Sequence, residues 1–313
     1  MDQLRTQEAR IQENNQSKSN VPAKTGAFFL AERADSLNLK RKNNTKGRSN
    51  RIEKGVVVLA DVRMAECDAE ILEGAGSFCL RSKKNSLGYI NKNKWLNDRF
   101  EEGLKYVQLF EGDKQAGFIE YTDAAFSSRV VHADNYLVIH CLWVSETGKG
   151  YGSRLIRKCL EDAQINAKQG VLVVTNPDTS WTPGKEIFLK NGFRLADTAP
   201  YQFELLVYQF DPGRLLPLFP DNWDERINKF HGLTILRSFQ CPYVDIAAEN
   251  IIEAADKLGI PVSIINFKNR KELMDLSPTP YGVYSVVFKG KLVSFHRLTV
   301  HSAMKRLKEL MQH

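Results

Sequence analysis

Residues 137–167 read LVIHCLWVSETGKGYGSRLIRKCLEDAQINA. An apolar run, a glycine-rich turn and an amphipathic helix follow one another without a break. Residues 137–144 are nearly all apolar or aromatic, which predicts a buried strand. Gly148, Gly150 and Gly152 crowd the turn. From Ser153 onward, Leu155, Ile156, Cys159, Leu160 and Ala163 recur at helical spacing. Such a strand, turn and helix start make an anion site. The first N–H groups of a helix have no internal partner, and its dipole favours negative charge there. Glycines let the backbone come close to a phosphate.

Spacing narrows the anion. A Walker A loop needs Lys-Ser or Lys-Thr after its glycines, and none follows here. A dinucleotide fingerprint needs GxGxxG, whereas the spacing is Gly148-x-Gly150-x-Gly152. The turn Thr147-Gly148-Lys149-Gly150-Tyr151-Gly152 resembles the (Arg/Gln)-x-x-Gly-x-(Gly/Ala) loop of the GNAT acetyltransferases, with Thr147 where Arg or Gln is usual. The resemblance implies that backbone amides of this loop hold the pyrophosphate of acetyl-CoA. A plain tight turn is the alternative.

The chain has 313 residues, long for one domain and comfortable for two. No run of about 18 apolar residues predicts a membrane span, and no compact apolar segment near the N-terminus predicts a secretory signal. Five scattered cysteines, without CxxC or a zinc-like spacing, suit a reducing cytoplasm and predict no metal. Net charge is +7, but residues 1–55 carry twelve Lys/Arg against six Asp/Glu, leaving +1 elsewhere. The folded part is nearly neutral, so specific nucleic-acid binding is not expected. Residues 1–54 read as a disordered basic tail; the run at 39–51 suits RNA or acidic lipid only if it is more than a solvated tail.

Residues 55–62 (GVVVLADV) predict the first strand. A helix follows over 86–103, with Leu87, Ile90, Trp95, Leu96 and Phe100 on one face. Strands at 106–110 and 115–121 flank a hairpin turn at 111–114. Then come strand 135–144, the glycine turn and its helix, strand 170–175, a helix over 181–191 with Pro183 in its first turn, and strand 203–210. This order resembles the GNAT fold over 55–210, an α/β (α+β) mixed sheet. The segments HCLWV, GKGYGS and FLKNGF, followed by a further small domain, resemble the YoaP-like bacterial acetyltransferases. Residues 211–230, rich in Pro, Asp and Asn, predict a linker. Residues 231–313 read β–α–β–ββ–α and resemble a thioredoxin-like domain. Cys241-Pro242-Tyr243 resembles the start of the glutaredoxin CPYC motif, with Val244 in place of its second cysteine, and Pro280 stands near that fold's cis-proline position.

The expected donor site comprises Gly148, Lys149, Gly150, Tyr151, Gly152 and Ser153. The resemblance adds the backbone of Leu142, Trp143 and Val144 along the pantetheine arm. Asn176 either bonds that arm or caps a turn. Transfer to an amine needs a base. His140, on the central strand, is the first candidate and Glu120, on the neighbouring strand, the second; a hydrogen-bonded core histidine and a solvent-facing glutamate are the alternatives. By strict alternation His140 shares a face with Tyr136, Val138, Leu142 and Val144, and Cys141 faces the other way. The resemblance puts Phe188 where the family often has a proton-donating tyrosine, so Tyr201, Tyr121 or water must substitute. A thiol at Cys241 would be favoured as thiolate by a helix N-terminus.

The resemblance implies an N-acyltransferase moving acetyl from acetyl-CoA to an amine-bearing small molecule or peptide in a ternary complex. The rivals are a monothiol redox or glutathione-handling protein using Cys241, and a non-catalytic acyl-CoA-binding protein. The acceptor pocket is expected from residues 79–103 and 122–134. Nothing in the sequence fixes the oligomeric state.

Overall fold

A computed structural model describes residues 62–312. The basic tail and most of the strand expected at 55–62 lie outside them. The first described strand, β1, is Val62–Cys67. It pairs with β2 (Lys105–Glu111), which turns through Gly112 into β3 (Lys114–Asp123). β4 (Tyr136–Val144), β5 (Gly170–Thr175), β6 (Arg194–Ala199) and β7 (Phe203–Gln209) complete one sheet. Its order is β1-β2-β3-β4-β5-β7-β6, and only β4 and β5 run parallel.

Helix starts follow local chemistry. Asp68 caps α1 (Ala69–Ala75) by accepting from the Ile71 N–H at 2.8 Å. Ser86 caps α2 (Leu87–Phe100). On α2 the expected apolar face is not the inner one. Leu87 and Ile90 are exposed, whereas Gly88, Tyr89, Lys92 and Leu96 are buried. The inner stripe carries a lysine because a carboxylate waits opposite it. α3 (Tyr151–Ile165) follows the glycine turn. α4 is only Lys185–Lys190, shorter than the helix expected at 181–191. A residue before proline disfavours helical backbone, and Thr182 instead bonds the Asn176 backbone N–H through Oγ1 at 3.0 Å. β6 was not legible: it is a polar edge strand.

The rest forms a second, four-stranded sheet in the order β11-β10-β8-β9. Its elements are β8 (Leu233–Arg237), α6 (Val244–Asp256), β9 (Val262–Asn266), α7 (Arg270–Leu276), β10 (Tyr284–Phe288), β11 (Lys291–Ser294) and α8 (Val300–Met311). β8 and β9 are parallel; β10 is antiparallel to both its neighbours. The β–α–β–ββ–α layout agrees with the sequence reading, apart from the added α7. No cis peptide occurs among the described residues, so Pro280 is trans; its carbonyl accepts the Val130 N–H at 3.1 Å.

Residues 211–230 are not a free linker. They contain α5 (Trp223–Ile227), and Phe219, Trp223, Ile227 and Phe230 are buried. One apolar core runs from Tyr136, Val138, Leu172, Leu205 and Val207 of the first sheet through these residues to Ile235, Val286 and Leu307 of the second. The opposite face of the first sheet packs on α3 and α4 through Ile119, Ile139, Leu155, Ile156 and Phe188. Near β1–β3, α1 and α2 cover the face that the second sheet leaves.

α2 also meets the second sheet region closely. A Cβ on Gly88 would lie 2.0 Å from the Pro242 carbonyl oxygen. Asn91 donates to Asp245 at 3.0 Å beside it. Gly88→Ala is therefore expected to lower stability by about 1–3 kcal/mol, an overpacking cost. A urea midpoint equal to wild type would show that α2 moves away freely.

Candidate active site

β4 and β5 pair only from Tyr136↔Gly170 to Ile139↔Val173. Beyond that register β4 continues to Val144 without a strand partner on its β5 side. Its edge beyond Ile139 therefore has no strand pairing on that side, and this edge leads into the glycine turn. Gly148 and Gly150 have φ of 85° and 76°, a left-handed region suited to glycine. Gly150 is the N-cap of α3, and no side chain caps it. The N–H groups of α3's first turn thus have no side-chain acceptor at the cap. Gly152 has another role: a Cβ there would lie 2.3 Å from Ile187 Cδ1 on α4. Ser153 Oγ accepts from Asn191 of the segment after α4 at 3.0 Å. Tyr151 is buried. Lys149 does not stand free, being paired with Glu111 at 3.0 Å and Glu146 at 3.1 Å.

The strand preceding the turn breaks strict alternation. Glu120 of β3 faces Cys141, while Tyr121 faces Ile139, so His140 is an extra residue on β4. This β-bulge reverses the faces beyond it. Leu142 and Val144 join Leu137 and Ile139 on the α3 side. His140 and Cys141 both line the opposite cavity, against the expectation that they face apart. Trp143 is exposed on that same side and stacks on Phe78 at 4.3 Å between centroids.

Glu120 and His140 come together, fully buried. His140 Nε2 accepts the Ser128 backbone N–H at 3.0 Å. A backbone N–H can only donate, so the ring proton sits on Nδ1, 3.3 Å from Glu120 Oε1. The same Oε1 accepts from Gln240 Nε2 at 2.9 Å, and Oε2 accepts from Lys92 Nζ at 2.5 Å. Arg129, also buried, donates to the His140 carbonyl at 2.5 Å. Burial alone would raise the Glu120 carboxyl, but Lys92 and His140 outweigh it and hold it at about 2. Burial lowers His140 to about 4, with Arg129 adding to the effect and Glu120 opposing it. Both groups are unprotonated bases at neutral pH, yet the single lone pair of His140 is already engaged.

Glu120, His140, Lys92 and Gln240 floor a cavity of about 30 Å³, enough for two waters or a comparably small group. Tyr106, Phe118, Trp181 and Tyr281 wall it. Ser77 is also in the lining, and its buried Oγ has no hydrogen-bond partner. Cys79, Cys141 and Cys241 contribute neutral thiols. Burial pushes Cys241 up to about 11, although the Tyr243 N–H bonds it, so the expected thiolate is not favoured. Among the described residues, no group of His, Cys, Asp and Glu is arranged to hold a metal ion.

Three expected residues stand elsewhere. Asn176 spends its side chain on the Tyr201 carbonyl (2.7 Å) and the Asp178 N–H (2.9 Å), which is turn-building. Tyr201 sits in the β6–β7 turn at φ 64° and is not part of the cavity lining. Tyr121 faces α3 and bonds Asp162. Phe188 is buried against Phe193. The sequence reading missed Lys92, Arg129 and Gln240. For Lys92 a signal existed in the spacing Gly88, Lys92, Leu96, one residue every four on a helix. For Arg129 and Gln240 there was none, because only tertiary packing brings them to Glu120.

Residues 76–179 match the model of the acetyltransferase (GNAT) family. The chain is 29% identical over 236 residues to the uncharacterised N-acetyltransferase YoaP of Bacillus subtilis (strain 168), covering 74% of this chain and 93% of that one. Solved structures similar to it include the PaiA N-acetyltransferase of Thermoplasma acidophilum in complex with coenzyme A, at 15% identity and TM-score 0.36, covering 48% of this chain and 99% of that one. A GNAT family acetyltransferase of Brucella melitensis in complex with acetyl-CoA is similar at 13% identity and TM-score 0.33, covering 51% and 94%. The match to the acetyltransferase (GNAT) family thus covers residues 76–179, and the likeness to YoaP extends over most of the chain.

Proposed function

We infer that the chain is an acetyl-CoA-dependent N-acetyltransferase acting on an amine-bearing small molecule or peptide. One observation carries this: the unpaired β4 edge leads into an uncapped helix N-terminus on one side and a cavity built around a buried carboxylate on the other. The edge suits the amide-bearing pantetheine arm, and Gly148 to Ser153 suit the pyrophosphate. Lys149 serves as a brace for Glu111 and Glu146 more than as a phosphate ligand.

The acceptor nitrogen attacks the thioester carbonyl, the carbon–sulfur bond breaks, and the proton shed by nitrogen ends on the coenzyme sulfur. Glu120 faces the positive charge that develops on nitrogen and stabilises it. Held at about 2, it stores no proton itself. His140 orients Glu120 through its Nδ1–H rather than acting as the base. Phe188 has no proton to give, so water or the unpartnered Ser77 hydroxyl is left to carry the proton to sulfur.

Calorimetric titration with acetyl-CoA, then coenzyme A release across an amine panel read by mass spectrometry, tests the reading. Protein that binds no acetyl-CoA would overturn it. Binding without any acyl transfer would favour a non-catalytic role.

Residues 231–313 suit a thioredoxin-like module on their strand order, with Cys241 as a wall residue and not a nucleophile. Cys241→Ser is expected to keep coenzyme A release within about threefold of wild type, as befits a buried neutral thiol. Loss of all transfer would move the chemistry to that thiol. Free thiols at all five cysteines support a cytoplasmic location. Among the described residues no helix is long and apolar enough to cross a membrane.

A further inference from the structure

Gln240 lies between β8 and α6, outside the 76–179 segment, and is buried. Its amide bridges two opposite charges. Nε2 donates to Glu120 Oε1 at 2.9 Å, and Oε1 accepts from both terminal nitrogens of Arg129 at 3.4 Å. The reverse amide orientation would set oxygen against carboxylate and NH2 against guanidinium, so the two charges dictate which way it points. Arg129 makes no direct ion pair with a carboxylate among the described residues, and its guanidinium lies 4.9 Å from the centre of the Tyr281 ring. Gln240 is therefore the polar link between this buried cation and the carboxylate of the cavity.

The surrounding contacts fix that link in place. Arg270 donates to the carbonyls of Ser127, Arg129 and Val131 at 2.7, 2.9 and 2.9 Å. It thereby holds the loop whose Ser128 N–H binds His140. Gly282 approaches so closely that a Cβ would lie 2.5 Å from the Ser128 carbonyl oxygen. Cys241 and Tyr281 from the same region close the cavity wall.

We propose that residues 231–313 complete the active site, with Gln240 a positioning residue that aims Glu120 at the acceptor and couples it to Arg129. This rests on the acetyl-transfer reading. The groups facing Glu120 are Lys92 from α2, Tyr106 from β2, His140 and Cys141 from β4, Arg129 and Cys79 from loops, and Gln240, Cys241 and Tyr281 from the second sheet region. Of these only Gln240 is an uncharged, non-titrating donor, so its replacement changes the carboxylate's surroundings without adding a cation.

The test uses the full chain with Gln240→Leu and the near-isosteric Gln240→Glu. Gln240→Leu is expected to lower kcat/KM for an acetylated amine by about tenfold or more, through kcat, as a misaimed group does. Its acetyl-CoA Kd should stay within about twofold of wild type. Gln240→Glu sets two carboxyl groups against one another, so one proton is retained and a second acid limb, the same for every acceptor, appears in kcat/KM below the one set by the amine. The 15N imidazole signals of His140, which need no acceptor, should show a neutral Nδ1–H ring in wild type and a titration displaced in both variants. Folded variants with wild-type kcat/KM, pH profile and His140 titration would overturn the proposal and leave this region a scaffold. If Gln240→Leu fails to fold, Gln240→Glu decides alone. If wild type acetylates no amine, the transfer reading fails, and the His140 signals still decide whether Gln240 governs the couple.

Discussion

Glu120→Gln is expected to reduce turnover by about 10²–10⁴-fold, the range for a group acting on the reacting proton or charge. The amide keeps the shape of the side chain but removes the negative charge proposed to face the acceptor nitrogen. It also leaves Lys92 buried without a counter-ion. Breaking a buried pair from one side costs about 3–5 kcal/mol, so the urea midpoint should fall as well. The double replacement of Glu120 and Lys92 by methionine separates the two effects. Replacing a buried pair with apolar residues is often neutral, so stability should return while turnover does not. A Glu120→Gln enzyme with wild-type turnover would remove the carboxylate from the chemistry.

The pH dependence follows in sign from the same residues. Glu120 sits at about 2, below its ordinary 4.5, so its charged form contributes stability that is present above about pH 4.5 and lost as pH falls toward 2. His140 sits at about 4, below 6.5, so its neutral form contributes stability that is present above pH 6.5 and lost as pH falls toward 4. Both therefore act in acid unfolding and neither titrates above pH 7. The alkaline-rising limb of the rate then belongs to the acceptor amine and should track that amine's own pKa across the panel. A limb fixed near pH 6 for every acceptor would return His140 to the role of base.

Gly150→Glu is expected to weaken acetyl-CoA binding by about 100-fold or more. A non-glycine residue at φ 76° carries a cost of about 1–2 kcal/mol. The new carboxylate would also occupy the α3 N-terminus that an anion needs, adding a repulsion of about 1–4 kcal/mol at close range. Gly150→Ala isolates the backbone part and should lose less. Calorimetric titration reads both, and an unchanged Kd in Gly150→Glu would place the pyrophosphate elsewhere.

The strand, glycine turn and helix of the proposed donor half were legible because they are local. One continuous stretch supplies the strand, the turn and the helix, and each obeys a short-range rule. The surroundings of Glu120, the proposed acceptor half, were legible only in part. Glu120 and His140 stood out as titratable residues in apolar strands, but the bulge that turns Cys141 toward His140 depends on pairing with β3. Lys92 was hidden because Leu87 and Ile90 suggested another inner face, and the ion pair with Glu120 overrides that preference. Gln240 and Arg129 are 111 residues apart in the chain, beyond the reach of any periodicity. Pro- and Asp-rich composition suggested a linker at 211–230, whereas its four large apolar side chains carry the packing.

The apolar core that passes from one sheet to the other also bears on descent. A small second sheet added behind a catalytic fold is usually pictured as cargo that can be gained or lost by joining genes. Here Tyr136, Val138, Leu205 and Val207 would be bared to water if the later residues were removed. A lineage that shed the C-terminal third would have to recolour that whole face with polar residues at once. Heredity is thus constrained to pass the two sheets on together, and substitutions in one are filtered by the fit of the other.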